Sequence, residues 1–147
     1  MTNSLTEPMT EDAVFELLSL ECRVDSVGTV RYFNSLGQLH RVHGPAVVSL
    51  NGYRAWFHNG QRHRLDGPAI ERADGSRDWF HNGQRHRLDD PAIECEDGSK
   101  FWYQNDRLHR IDGPAIEYPD GDRSWYINGK ELTEAEWQQQ AASMENA

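Results

Sequence analysis

An aromatic residue returns every 23 positions along this chain, at Phe33, Trp56, Trp79, Trp102 and Trp125. The same spacing carries a histidine column (His40, His63, His86, His109) and a proline column (Pro45, Pro68, Pro91, Pro114). A glycine column (Gly52, Gly75, Gly98, Gly121) keeps it too. Residues 56–71 and 79–94 differ only where Gly67 is matched by Asp90, so these two units do the same structural work. A period of this size is the mark of a stacked repeat array, in which each unit covers its neighbour.

The unit itself reads as β structure. In the second unit Trp56-Phe57-His58 is followed by Asn59-Gly60, by Gln61 to Leu65, by Asp66-Gly67-Pro68, by Ala69-Ile70-Glu71, and then by Asp74-Gly75. Asn-Gly and Asp-Gly are strong hairpin signals because a type I′ turn needs positive φ at both central residues. Two turns per unit predict an antiparallel meander of about ten strand segments. With Asn59-Gly60 as the loop, His58 faces Gln61, Phe57 faces Arg62 and Trp56 faces His63. Reading Asp74-Gly75 as a two-residue loop sets Ile70 opposite Trp79, and also sets Arg72 opposite Arg77, an unfavourable pair. Alternation then puts Trp56, His63, Leu65 and Ile70 on one face, and Phe57, Arg62 and Arg64 on the other. The apolar face is expected to carry the five aromatics of the column with Val47, Ile70, Ile93 and Ile116. A bulge or bend at Asp66-Gly67-Pro68 keeps Leu65 and Ile70 together. Asp90 suits its glycine-matched position as a residue tolerant of positive φ.

Both flanks carry helix signals. Thr10 is an N-cap before Glu11-Asp12, with Val14, Leu17, Leu18 and Glu21 at helical spacing. Thr133 and Glu136 form a capping box, Leu132 and Trp137 a hydrophobic staple, so a short helix starts at Glu134 and frays through Gln138–Gln140. The chain therefore divides into an acidic N-terminal segment with an amphipathic helix (1–25), five repeats (26–130) and a C-terminal helix with its tail (131–147). The fold class is all-β: one elongated antiparallel sheet capped by a helix at each end, with the first helix over part of its apolar face. The net charge of −9 sits in the ends: 1–25 holds six acids and one base, 127–147 four acids and one base. No apolar run approaches the roughly 18 residues of a membrane span. The first dozen residues do not have the form of a secretory signal, and two cysteines with no Cys-x-x-Cys fit a cytoplasmic, reduced thiol state.

The motif in Trp56…Asn59-Gly60…His63, in Trp79…Asn82-Gly83…His86 and, more weakly, in Trp102…Asn105…His109 resembles the MORN repeat. The resemblance spans about residues 30–130. It departs from the pattern at Arg41, Arg64, Arg87 and Arg110, which follow histidine where MORN units have glycine, and in its Gly-Pro-Ala element. The resemblance implies stacked hairpins acting as scaffolds, dimerisation modules or lipid-associated modules, with no catalytic residue to carry over. Bacterial relatives of MORN proteins include antitoxins, and arrays with this histidine-arginine element are found in bacterial and phage proteins.

Polar residues that recur in register are not the unique constellation that catalysis needs, so an enzyme is not expected. Two histidines per hairpin, such as His58 and His63, lack a third ligand, and repeats some 10 Å apart do not share an ion, so no metal or other cofactor is expected. A hydrogen bond from histidine to a turn carboxylate such as Asp66 is the expected arrangement. The candidate partner-binding residues are Phe57, Arg62, Arg64, Phe80, Arg85, Arg87, Tyr103 and Arg107, an aromatic–arginine ladder of the residue types enriched at protein interfaces. The expected function is non-enzymatic binding of a protein partner in the cytoplasm of a bacterial or phage-infected cell, as an inhibitor of a host defence complex or an antitoxin. Two alternatives stay open: the ladder reads nucleic acid or phospholipid headgroups, or the sheet pairs with its own copy as a homodimer.

Overall fold

A computed structural model describes residues 8–147. The segment 1–7, and with it most of the stretch read as lacking a secretory signal, lies outside the described residues. Helix α1 (Glu11–Ser19) precedes the sheet and α2 (Glu134–Glu145) follows it. An eleven-stranded antiparallel sheet runs between them. In chain order its strands are β1 (Glu21–Val24), β2 (Val30–Phe33), β3 (Val47–Val48) and β4 (Arg54–Ala55). Three small hairpins interrupt the count: β5 (Phe57–His58) with β6 (Gln61–Arg62), β9 (Phe80–His81) with β10 (Gln84–Arg85), and β13 (Tyr103–Gln104) with β14 (Arg107–Leu108). The sheet continues through β7 (Ile70–Glu71), β8 (Arg77–Asp78), β11 (Ile93–Glu94), β12 (Lys100–Phe101), β15 (Ile116–Glu117), β16 (Arg123–Ile127) and β17 (Lys130–Leu132). The meander expected from the repeats is present, and its first strand already lies within the N-terminal segment.

Each unit is a strand pair broken at its tryptophan. The Trp56 N–H donates to the Ala69 carbonyl at 2.8 Å, in the long sheet. Its own carbonyl accepts from His63 N–H at 3.1 Å, in the side hairpin. Trp56 is therefore the hinge between two ladders. The side hairpins stack on one another as well: Gly83 N–H donates to Arg62 and Arg64 N–H to Phe80, at 2.8 and 3.2 Å. Equivalent bonds join the third hairpin to the second.

The Asn59-Gly60 turn has φ of 48° and 80°, so both central residues are left-handed and Phe57 pairs with Arg62 as the sequence predicts. The Asp74-Gly75 turn corrects the expectation. Arg72 N–H bonds Ser76, so the loop has three residues, 73–75, closed by Gly75 at φ 93°. Ile70 faces Asp78, not Trp79. The Arg72–Arg77 clash disappears with the slip, and Arg72 instead grips the buried Asp78 carboxylate at 2.7 and 2.8 Å.

Face assignments change where the chain turns its corner. Leu65 is 81% exposed rather than apolar-face, and Arg64 lies on the Trp56 side. Phe80 is buried with Val47, Ala55, Ala69 and Ile70, and Phe57 packs against that cluster. In the first unit Tyr32, not Phe33, takes the tryptophan position, since Tyr32 N–H bonds Ala46 and His40 N–H bonds Tyr32. One additional residue in the first hairpin causes that shift. The Ala46, Ala69, Ala92 and Ala115 side chains are fully buried at the inside of the corner.

The helices are capped as expected, by Thr10 and by a full Thr133–Glu136 box. The second runs on to Glu145 instead of fraying by Gln140. The first does not cover the sheet's apolar face: Ala13 is buried, but Phe15 and Leu18 remain exposed. Its anchor is Glu16, which accepts from the N–H groups of Val42 and His43 and from the His43 ring. No described helix is long and apolar enough to cross a membrane.

Enlarging a corner alanine tests this packing. Ala69→Leu is expected to lower unfolding free energy by about 1–3 kcal/mol in urea titration, as overpacking does, and an unchanged midpoint would show that the corner has room.

Candidate functional site

The corner loops, residues 64–68 and their repeats, form one edge of the molecule, and the polar chemistry collects there. Arg64 lies over Trp56, its guanidinium carbon 4.0 Å from the ring centroid. Its Nε donates to Asp66 at 2.8 Å, and its Nη1 to the Pro68 carbonyl and to Glu71, each at 3.2 Å. Arg87 repeats this on Trp79 with Pro91, Glu94 and Asp90; Arg110 does so on Trp102 with Pro114, Glu117 and Asp112. Cation–π stacking, carbonyl binding and ion pairing thus converge on one planar group.

Asp90 is explained by the same geometry. Gly67 is not in the left-handed region, and a Cβ there meets Arg64 Cζ at 2.9 Å. In the third unit Asp90 accepts from Arg87 Nη2, where in the second Asp66 accepts from Arg64 Nε. Tolerance of positive φ is therefore not the reason for the exchange.

Histidine forms a spine beside this edge. Ring centroids of His40, His58, His63, His81 and His86 follow one another at 4.7, 5.9, 5.0 and 6.0 Å. Neighbouring units do bring their imidazoles together, because the side hairpins stack strand against strand. The hydrogen-bond partner is not Asp66. Nδ1 of His40, His63, His86 and His109 accepts the backbone N–H of Asn59, Asn82, Asn105 and Asn128, at 3.0 to 3.2 Å. A neutral ring that accepts at Nδ1 carries its proton on Nε2. Metal-ligating histidines instead donate from their second nitrogen, so this tautomer opposes coordination. Among the described residues no group of three or more His, Cys, Asp or Glu side chains is placed to hold a metal.

Two clefts of about 560 Å³ open along the edge. Trp56, His58, His63, Arg41 and Arg64 line the first; Trp79, His81, His86, Arg64 and Arg87 line the second. Leu65 stands between them in solvent, and Leu88 repeats it at 65% exposure. The edge is closed at both ends. Glu16 holds α1 on the 42–43 loop, and Trp137 of α2 donates Nε1–H to the Arg110 carbonyl at 2.8 Å while packing, like Ile111, against the buried cluster of Ile127, Leu132 and Ala141.

The sequence-derived ladder splits into two groups. Arg62 lies between Phe57 and Phe80 at 5.6 and 5.5 Å, and Arg85 between Phe80 and Tyr103 at 6.0 and 5.2 Å. Arg107 is exposed on the last of these hairpins, and Arg85 pairs with Asp106. Arg64 and Arg87 belong to the tryptophan edge instead. Phe80 is buried, so it supports the ladder from below. The exposed Leu65 and Leu88 escaped the sequence reading because simple alternation assigned their column to the core. Burial, with Asp97 and Asp78 nearby, pushes the Cys95 thiol up. No protein-family model matches the chain, and no curated protein matches it.

Burial, reinforced by neighbouring imidazoles, holds His40 and His63 below the ordinary histidine range, and burial does the same for His109. The unfolded chain therefore takes up protons first. Stability is complete above roughly pH 6.5 and falls as pH drops through the lowered values. Urea midpoints at pH 7.5 and 5.0 are expected to differ in that direction, and less so in His58→Gln/His81→Gln. Arg64→Lys keeps the charge but loses the fork; a loss of about 1–2 kcal/mol is expected in the same assay.

Proposed function

We propose that the protein is a non-enzymatic binding protein whose partner is another protein, engaged along the tryptophan–arginine edge between the two helices. The observation that carries this reading is the solvent-exposed Leu65, which lines both the Trp56 and the Trp79 cleft, with Leu88 exposed at the same position of the next unit. Exposed apolar side chains alongside aromatic-floored clefts are the anatomy of a protein interface. Arg64, Arg87 and Arg110 already hold internal carboxylates, so these three cations have little left to offer a polyanion. The overall charge of −9 opposes a polyanion further. Stoichiometric occlusion of the partner fits this edge. The narrower role of a phage-encoded inhibitor of a host defence complex, or of an antitoxin, is an extension by resemblance.

The test is affinity capture from the native host, with nuclease and high-salt arms and a Leu65→Asp/Leu88→Asp comparison. A single stoichiometric protein is expected to survive nuclease and salt and to be lost, by tenfold or more, in the double variant. Recovery that disappears with nuclease would move the assignment to nucleic acid through Arg62 and Arg85. An empty capture with a dimeric mass in light scattering would move it to self-association.

A further inference from the structure

The first unit breaks the arginine pattern in a way that leaves a charge unmatched. Arg41 occupies the position of Arg64, Arg87 and Arg110, lies over Tyr32 at 4.2 Å, and donates Nη1–H to the Pro45 carbonyl at 3.3 Å. Both carboxylates that complete its three counterparts are missing. His43 stands where Asp66 and Asp112 stand, and Val48 where Glu71, Glu94 and Glu117 stand. Arg41 Nε is buried and has no hydrogen-bond partner, alone among buried side-chain polar atoms of the described residues. A buried donor without a partner is destabilising, more so when it is charged. Glu16 of α1 is spent on the N–H groups of Val42 and His43 and on the His43 ring.

This guanidinium lines the first cleft, together with Trp56, His58, His63 and Arg64. The cleft stands open to solvent between the first and second corner loops. We infer that the first cleft is a carboxylate-binding site, in which Arg41 receives an aspartate or glutamate side chain of an acidic peptide segment from the partner. The inference deepens the proposed function and rests on it for the identity of the partner as a protein. The repeat itself specifies the ligand: three times over, the same arginine fork is completed by a carboxylate on Nε or Nη2 and another on Nη1. The walls favour a monoanion over a phosphate dianion, because Asp66 faces the same cleft and Glu16 lies above its rim. Trp56 supplies an apolar floor for the peptide flanking the acid. His63, with its proton on Nε2, adds a neutral donor.

The experiment is a titration followed through arginine Nε–H signals in nitrogen–proton correlation spectra of the full chain. The probe is the blocked peptide acetyl-Gly-Asp-Glu-Asp-Gly-amide, with its Asn/Gln/Asn counterpart and sodium acetate as separate arms. The acidic peptide is expected to move the Arg41 Nε–H signal saturably, with Arg64, Arg87 and Arg110 little changed. Val48→Glu, which restores the internal carboxylate, and Arg41→Lys are each expected to weaken binding tenfold or more. A single cooperative unfolding transition in each variant, with a midpoint for Val48→Glu that is unchanged or raised, shows that the fold is intact. No shift at Arg41, or equal affinity in Val48→Glu, overturns the inference. An equal response to acetate keeps the carboxylate site and overturns the peptide as its source. If host capture succeeds and is indifferent to Val48→Glu, the inference fails while the proposed function stands.

Discussion

Everything in this fold hangs on how the chain turns the corner after each histidine. At Asp66-Gly67-Pro68 the long sheet and the side hairpin part, and the proline carbonyl has no ladder neighbour. The arginine that directly follows each column histidine supplies what the ladder lacks. Lying over tryptophan, it donates to Pro68 and binds Asp66 and Glu71 at once. A lysine has neither the plane nor the fork for this. The hydrophobic content of the chain is modest, at 37%, and the core at each corner is little more than an alanine, an isoleucine and one aromatic. Charged and aromatic groups therefore take on a role that aliphatic packing fills in larger domains.

The side hairpins depend on the corner in turn. Because every corner is alike, successive hairpins arrive at strand spacing and bond to one another, and that contact aligns the imidazoles. Each of the four column histidines accepts an amide from the next turn, so its tautomer is set by a neighbour 19 residues ahead. The edge gains a row of fixed donors whose protonation is linked to stacking. The two helices end the stack differently: α2 packs through Trp137 and Ala141, whereas α1 is held by little beyond one carboxylate.

Much of this was legible in the residues, and the failures have physical causes. The period, the Asn-Gly register and both helix caps were readable because each depends on local backbone chemistry. The Asp74-Gly75 register was one residue off because a three-residue loop closed by glycine looks in sequence like a two-residue one. The implausible Arg72–Arg77 pair was the signal of that error. Arg64 and Leu65 were assigned to the wrong sides because alternation assumes a straight strand, and the chain bends between Arg62 and Arg64. Phe33 was taken for the first member of the aromatic column by spacing alone, whereas the hydrogen bonds select Tyr32. The histidine spine was missed because unit spacing was applied where strand spacing governs. Arg41 had a visible signal: His43 and Val48 break two acidic columns at the same unit.

The amides that pass from each turn to the preceding histidine do so at one fixed interval. Inserting or deleting 23 residues at an internal boundary returns every donor to an acceptor of the same kind, while a different length placed between a column histidine and its asparagine leaves an amide and an imidazole out of step. The near-identity of residues 56–71 and 79–94 is what such a step leaves behind. The molecule is in this sense a ruler that grows only by whole divisions, and the number of clefts it offers is an integer that recombination, rather than point substitution, sets.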